Sequence, residues 1–200
     1  LHRSNQLAYP LMAICAGTPE MLKMLYKEKT YVERLFVFPK IGLLNKDQVK
    51  DAIEIPGNRA KLSFEDDAIE LIAETTKGYP FFVQQLGQII YKRADGEMSV
   101  DKSFVTESLS DYYNELDNNF YMVRFENRGE LEKQCMYAMA NADELPCSVA
   151  YIAQTIGRSA KQISPTLSRL KNKGLITYDN MTEVDFTVPG FDDYLKRHRF

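Results

Sequence analysis

Between Arg158 and Lys173 the chain places five cations, Arg158, Lys161, Arg169, Lys171 and Lys173, and no acid. The formal net charge of the whole chain is −3. Positive charge is therefore concentrated at one place in an acidic protein, and the chemistry this supports is contact with a polyanion at a single surface. Helical spacing sharpens the reading. With Ile163, Leu167 and Leu170 as the core face of a helix, the polar positions left are Ser159, Lys161, Gln162, Ser164, Thr166 and Arg169. Lys171 and Lys173 follow at the helix end. Side chains of these types can donate to phosphates and reach base edges from one side. Together with Arg158 they form a candidate face for double-stranded DNA. The same residues also read as a solvated helix whose cations complement the C-terminal dipole.

Other chemistries find little to work with. The two histidines, His2 and His198, lie near the two ends, and no Ser-His-Asp set or metal-ligand spacing occurs; no metal is expected. Cys15, Cys135 and Cys147 are far apart and odd in number, which argues against a disulfide framework and fits a reducing cytoplasm. No apolar run is long enough to span a bilayer, so no membrane is expected as a partner. The chain contains no GxxxxGK[ST] loop and no run of four apolar residues ending in two acids. As it stands it should not hydrolyse ATP. Acid pairs such as Asp66-Asp67 and Asp192-Asp193 are adjacent and do not share a helix face. The aromatic set Tyr112, Tyr113, Phe120, Tyr121 and Phe125 lacks interleaved cations and reads as packing, not as a base-stacking platform.

The elements that must position these residues follow from periodicity and caps. "PLMAICAG" (10–17) reads as a buried strand, the Thr18-Pro19-Glu20 start as a helix, and "RLFVFPKIGLL" (34–44) as a second extended segment. Residues 45–127 read as an all-helical bundle. Asn45 and Gln48 have capping-box spacing, Ser63 and Asp66 open the next helix, and Pro80 stands at the first position of the one after. Gly78-Tyr79-Pro80 joins two of these helices through a tight, aromatic turn. Residues 128–200 follow the order helix, helix, turn, helix, hairpin, helix, with Ser159 capping the basic helix. That order is the winged helix-turn-helix. The hairpin tip, Asp179 to Glu183, is acidic and carries no Lys or Arg. The fold class expected is mainly α: a remnant α/β edge (1–44), a helical lid (45–127) and a C-terminal winged helix (128–200).

The motifs "AGTPE", "ER-F-F---GLL" and "GYP", in this order and at these separations over about residues 5–95, resemble the C-terminal half of AAA+ ATPases of the AAA_16 and archaeal-ATPase type, relatives of the STAND NTPases and of origin-recognition initiators. The resemblance implies ATP or ADP with Mg as cofactors of a longer parent, and none binding tightly to this chain alone. It implies that the N-terminal half of the ATPase core, with Walker A and B, precedes this chain, which begins at Leu1 and reads as a fragment. Thr18 falls at the sensor 1 position, where the family often has Asn. Arg34 falls where such proteins carry an arginine finger reaching a neighbouring subunit's nucleotide, which implies a homo-oligomer; a salt bridge to Glu28 or Glu33 is the plain alternative. "GYP" matches the lid turn near adenine and ribose, making Tyr79 and Pro80 the nucleotide contacts. Phe81, Phe82 and Val83 stand where relatives place a sensor 2 arginine.

Three functional expectations result. The first is a lid and winged helix that couple nucleotide state to DNA or protein binding. The second is a winged-helix transcription regulator with a helical effector or dimerisation domain. The third is a protein-interaction module that never touches DNA.

Overall fold

Asn45 starts the first helix of the second unit as the sequence predicts. Its side chain accepts the Gln48 N–H (2.9 Å), and Gln48 Oε1 accepts the Asn45 N–H (3.0 Å). In the computed structural model this helix, α1, runs Lys46–Arg59. The structure describes 41–200 except 179, 181, 199 and 200, together with 12, 14–17, 24, 26, 27, 34 and 36–39. The chain divides into two units, Leu1–Gly42 and Leu43–Phe200. Within the first, 14–17 and 36–39 have no regular structure, and Arg34 has helical backbone. The extended segment expected from residue 34 therefore does not begin there. Met24, Tyr26 and Lys27, within the helix expected after Thr18, have helical backbone, and 12 and 41–44 have no regular structure; the remaining residues of the expected strand-helix-strand order lie outside the described residues.

The second unit is mainly helical with a small amount of sheet. After α1 come β1 (Leu62–Phe64), α2 (Asp66–Thr76), α3 (Pro80–Arg93), β2 (Met98–Val100) and α4 (Lys102–Leu116). A π-helical turn, Asp117–Tyr121, leads without a break into α5 (Met122–Glu126). The strands β1 and β2 pair in parallel, Leu62 with Met98 through Phe64 with Val100. Periodicity did not predict this pair, because three-residue strands are too short to show a period. It takes Ser63 into a strand, and Glu65, not Ser63, stands at the cap position of α2. The bundle core is Val49, Ile53, Ile69, Ile72, Phe82, Val83, Leu86 and Ile90. Burying each such side chain contributes about 1.5–3 kcal/mol. Surface ion pairs such as Lys46–Glu70 (2.7 Å) and Arg93–Asp111 (3.0 Å) link neighbouring helices; solvent screening leaves exposed pairs of this kind little weight in stability.

The chain continues with α6 (Glu130–Ala140), β3 (Cys147–Ser148), α7 (Val149–Thr155), α8 (Ala160–Asn172), β4 (Ile176–Tyr178), β5 (Glu183–Phe186) and α9 (Phe191–Arg197). Here β5 lies between β3 and β4, antiparallel to both. Ser148 caps α7 by accepting the Tyr151 N–H (3.1 Å). At the head of α8 the Ser159 N–H and hydroxyl donate to Gln162 Oε1 (2.9 and 3.1 Å). Ile152, Ile163, Leu167, Leu170, Val184 and Phe191 fill the space between these helices and the sheet.

Candidate polyanion face and helix junction

The inner stripe of α8 is Ile163, Thr166, Leu167 and Leu170. Thr166 was expected on the polar face; it is 2% exposed and belongs to the core face. The correction has a simple cause. Residues 163, 166, 167 and 170 share one face at the helical repeat, and a threonine methyl tolerates that environment. Its hydroxyl accepts from Arg169 Nη2 (3.0 Å). Arg158, Ser159, Lys161, Gln162, Ser164, Arg169 and Lys173 are all exposed, and Lys171 is half-buried.

These cations are not equivalent. The side chains of Arg158 and Lys161 make no hydrogen bond or ion pair with any described residue. The Lys171 ammonium sits 5.0 Å from the centre of the Tyr178 ring on β4. Arg169 and Lys173 converge on Glu132, which the sequence reading did not single out. Lys173 Nζ donates to both Glu132 carboxylate oxygens at 2.9 Å, and Arg169 Nε lies 3.6 Å from one of them. Glu132 stands at the third position of α6, where Oε2 accepts the Gly129 N–H (3.1 Å). Burial alone would raise its carboxyl. The Lys173 and Gly129 hydrogen bonds, with the charges of Lys173 and Arg128, outweigh burial and hold it below the ordinary carboxylate range. The sequence signal was the Gly129-x-x-Glu132 spacing at a helix start, which marks a cap and leaves the third partner unspecified.

Asn180 organises the hairpin tip: its Oδ1 accepts from the Thr182 and Glu183 N–H groups and from the Thr182 hydroxyl. Glu183 accepts from Asn180 Nδ2. Among the described residues the tip presents no cation.

The junction before α3 is closed by contact with Leu44. Lys77 ends α2 in the left-handed region at φ +50, and Gly78 follows at φ +67. The Leu44 N–H donates to the Gly78 carbonyl (2.8 Å). A Cβ on Gly78 would collide with the Leu44 carbonyl oxygen, so only glycine fits. This is why the turn is so tight. Its aromatics are explained by their packing at the head of α3. Tyr79, half-buried, has its ring 4.7 Å from Phe82. Phe81 stacks on Phe120 at 5.0 Å, and Phe82 meets Phe120 edge-on at 5.3 Å. The Arg124 guanidinium covers the Phe120 ring at 3.5 Å. Pro80 is exposed at the first position of α3.

From Phe120 the aromatic contacts continue. Tyr121 stacks on Phe191 (5.5 Å) and on Tyr194 (5.2 Å), and its hydroxyl donates to the Pro189 carbonyl (2.7 Å). Arg197 donates from Nη2 and Nε to the two Asp117 oxygens, at 2.7 and 3.4 Å. The π turn thus contacts α3 through Phe120 and α9 through Tyr121 and Asp117. Burial pushes Tyr121 well above the ordinary phenol range and Tyr194 up to about 12, so both rings stay neutral at neutral pH.

The remaining candidates are quickly placed. Arg34 is exposed; Thr18, Glu28 and Glu33 lie outside the described residues. Among the described residues no cluster of His, Cys, Asp or Glu could hold a metal ion, and no helix is long and apolar enough to cross a membrane. Burial raises Cys135 and Cys147 to about 11, so neither is a ready nucleophile. A cleft of about 520 Å³ between α1 and α3, lined in part by Pro56, Gly57, Gln84, Gln88 and Tyr91, contains none of the predicted residues.

Residues 118–195 match the model of a domain of unknown function (DUF8462). The matched segment begins inside the π turn and ends within α9. No curated protein matches the chain. Among solved structures it is distantly similar to a point mutant of RuvB from Thermotoga maritima, at 14% identity and a TM-score of 0.36. That match covers 78% of this chain and 50% of the other, so the chain spans about half the length of that structure.

Proposed function

We propose that the chain is the C-terminal portion of an AAA+/STAND-type ATPase, in which a helical lid passes nucleotide state to a winged helix that holds double-stranded DNA. The observation that carries this reading is the continuous aromatic column from the Gly78-Tyr79-Pro80 turn through Phe82, Phe120 and Tyr121 to Phe191 and Tyr194. Packed interiors transmit displacement because they have few voids to absorb it. A shift of the turn would reach α9 through side chains already in contact. Residues 130–197 are read as a winged helix because β5 lies between β3 and β4 and the β4–β5 hairpin comes directly after the basic helix α8. In this arrangement Arg158, Ser159, Lys161, Gln162 and Ser164 face outward on or beside α8, and Lys161 is the cation best placed to reach phosphate or base.

The parent would bind ATP or ADP with Mg through a Walker A loop upstream of Leu1. Tyr79 and Pro80 would lie near the base and ribose, Thr18 would serve as sensor 1, and Arg34 would reach the nucleotide of a neighbouring subunit in a cytoplasmic homo-oligomer. The upstream coding sequence tests the ATPase half. A GxxxxGK[ST] about 100 residues before Leu1 is expected, from the size of an α/β nucleotide core, and a different upstream domain would overturn it. Titration of a labelled duplex tests the DNA half. Lys161→Glu is expected to weaken binding at least about tenfold at low salt; unchanged affinity removes α8 from the interface. A protein partner is the second reading, favoured by the acidic hairpin tip.

A further inference from the structure

Among the described buried residues Glu132 is the one acid, and its surroundings hold more positive charge than it can neutralise. Lys173 and Arg169 both reach its carboxylate, and the charge of Arg128 also acts on it. A salt bridge that served only to join α6 to α8 would need one cation. Here at least two share one anion, and both keep much of their surface in water: the Arg169 side chain is 57% exposed and that of Lys173 40%. Arg169 is also held at a second point, by the buried Thr166 hydroxyl. Free Arg and Lys side chains carry rotamer entropy that a phosphate contact must overcome. Two cations already fixed by a buried carboxylate have lost part of that freedom beforehand.

Resting on the duplex-binding reading above, we infer that Glu132 is a positioning residue: its buried carboxylate sets Arg169 and Lys173 as a fixed pair of donors for the phosphodiester backbone at the end of α8. Arg169 and Lys173 touch phosphate; Glu132 acts through them. The sign of one substitution separates this from ordinary electrostatics. Removing an acid beside a polyanion site should tighten binding by reducing repulsion. Removing a group that positions the cations should loosen it.

The test titrates a fluorescein-labelled DNA duplex of mixed sequence with the whole chain, at about 50 and about 200 mM salt. Wild type is compared with Glu132→Gln, Lys173→Gln and Arg169→Gln, each also melted by circular dichroism. Glutamine keeps an oxygen for the Gly129 N–H, so the helix cap survives. Lys173→Gln and Arg169→Gln are each expected to lower the salt slope by about 1. Glu132→Gln is expected to weaken binding about 3- to 10-fold at low salt. Equal or tighter binding by folded Glu132→Gln overturns the inference while leaving duplex binding intact. Unchanged slopes in both cation variants do the same, and they decide the matter if Glu132→Gln melts below the assay temperature. Absence of wild-type binding at low salt overturns both the inference and the duplex reading.

Discussion

Gly78 carries a geometric demand that no other residue type meets. Its positive φ and the closeness of Leu44 act together. Gly78→Ala should lower stability by about 2–4 kcal/mol, combining left-handed strain with a backbone clash; a melt indistinguishable from wild type would contradict the description of the turn. Glu132 makes a different demand, one that depends on pH. Its folded carboxyl lies below its unfolded value of about 4.3. The stability it contributes is therefore present above that pH and is lost as pH falls through the folded value. Glu132→Ala should cost about 1–3 kcal/mol near neutrality, because it strips a charged acceptor from Lys173 and from the α6 cap. The gap to wild type should narrow below about pH 4. Denaturant titrations at several pH values check this, and a gap as wide at about pH 3 as at neutrality would contradict it.

At the scale of elements the decisive piece is the π turn. Its extra residue rotates the downstream helix, and such bulges recur at functional sites. Here it places Phe120 against α3 and Tyr121 against α9. Tyr121→Phe should remove the bond to the Pro189 carbonyl and cost about 1 kcal/mol. Phe120→Ala should cost about 3–5 kcal/mol, with a further consequence: fluorescence of a probe on α9 and far-ultraviolet dichroism should no longer melt together. Coincident melts in Phe120→Ala would mean that the two halves are joined by other contacts. Elements with long periods or standard caps were legible in the sequence. The capping box at Asn45, the proline start of α3, the Ser159–Gln162 pair and the β4–β5 hairpin all stand where spacing placed them. The π turn was not, since Asp117–Tyr121 continues a helical pattern with no local signal for the extra residue. The β1–β2 pair was hidden by its length.

Across the whole molecule the candidate face was only partly legible. The sequence located the cations, because charge runs are visible in one dimension. It could not show that Arg169 and Lys173 share a buried partner, one that lies 41 residues before Lys173, since that pairing depends on how α6 packs on α8. Thr166 was misplaced by its residue type: its hydroxyl reads as polar, although its spacing from Ile163, Leu167 and Leu170 puts it on the core face. In the proposed function a duplex is held chiefly by phosphate contacts from α8 and its immediate neighbours. The most direct measurement is the affinity of the whole chain for a labelled DNA duplex between about 50 and 200 mM salt. The expected result is measurable binding at low salt that falls steeply, with a log–log slope of about −2.7 to −3.6, as for three or four phosphate contacts. No binding at low salt, or binding indifferent to salt, would contradict it.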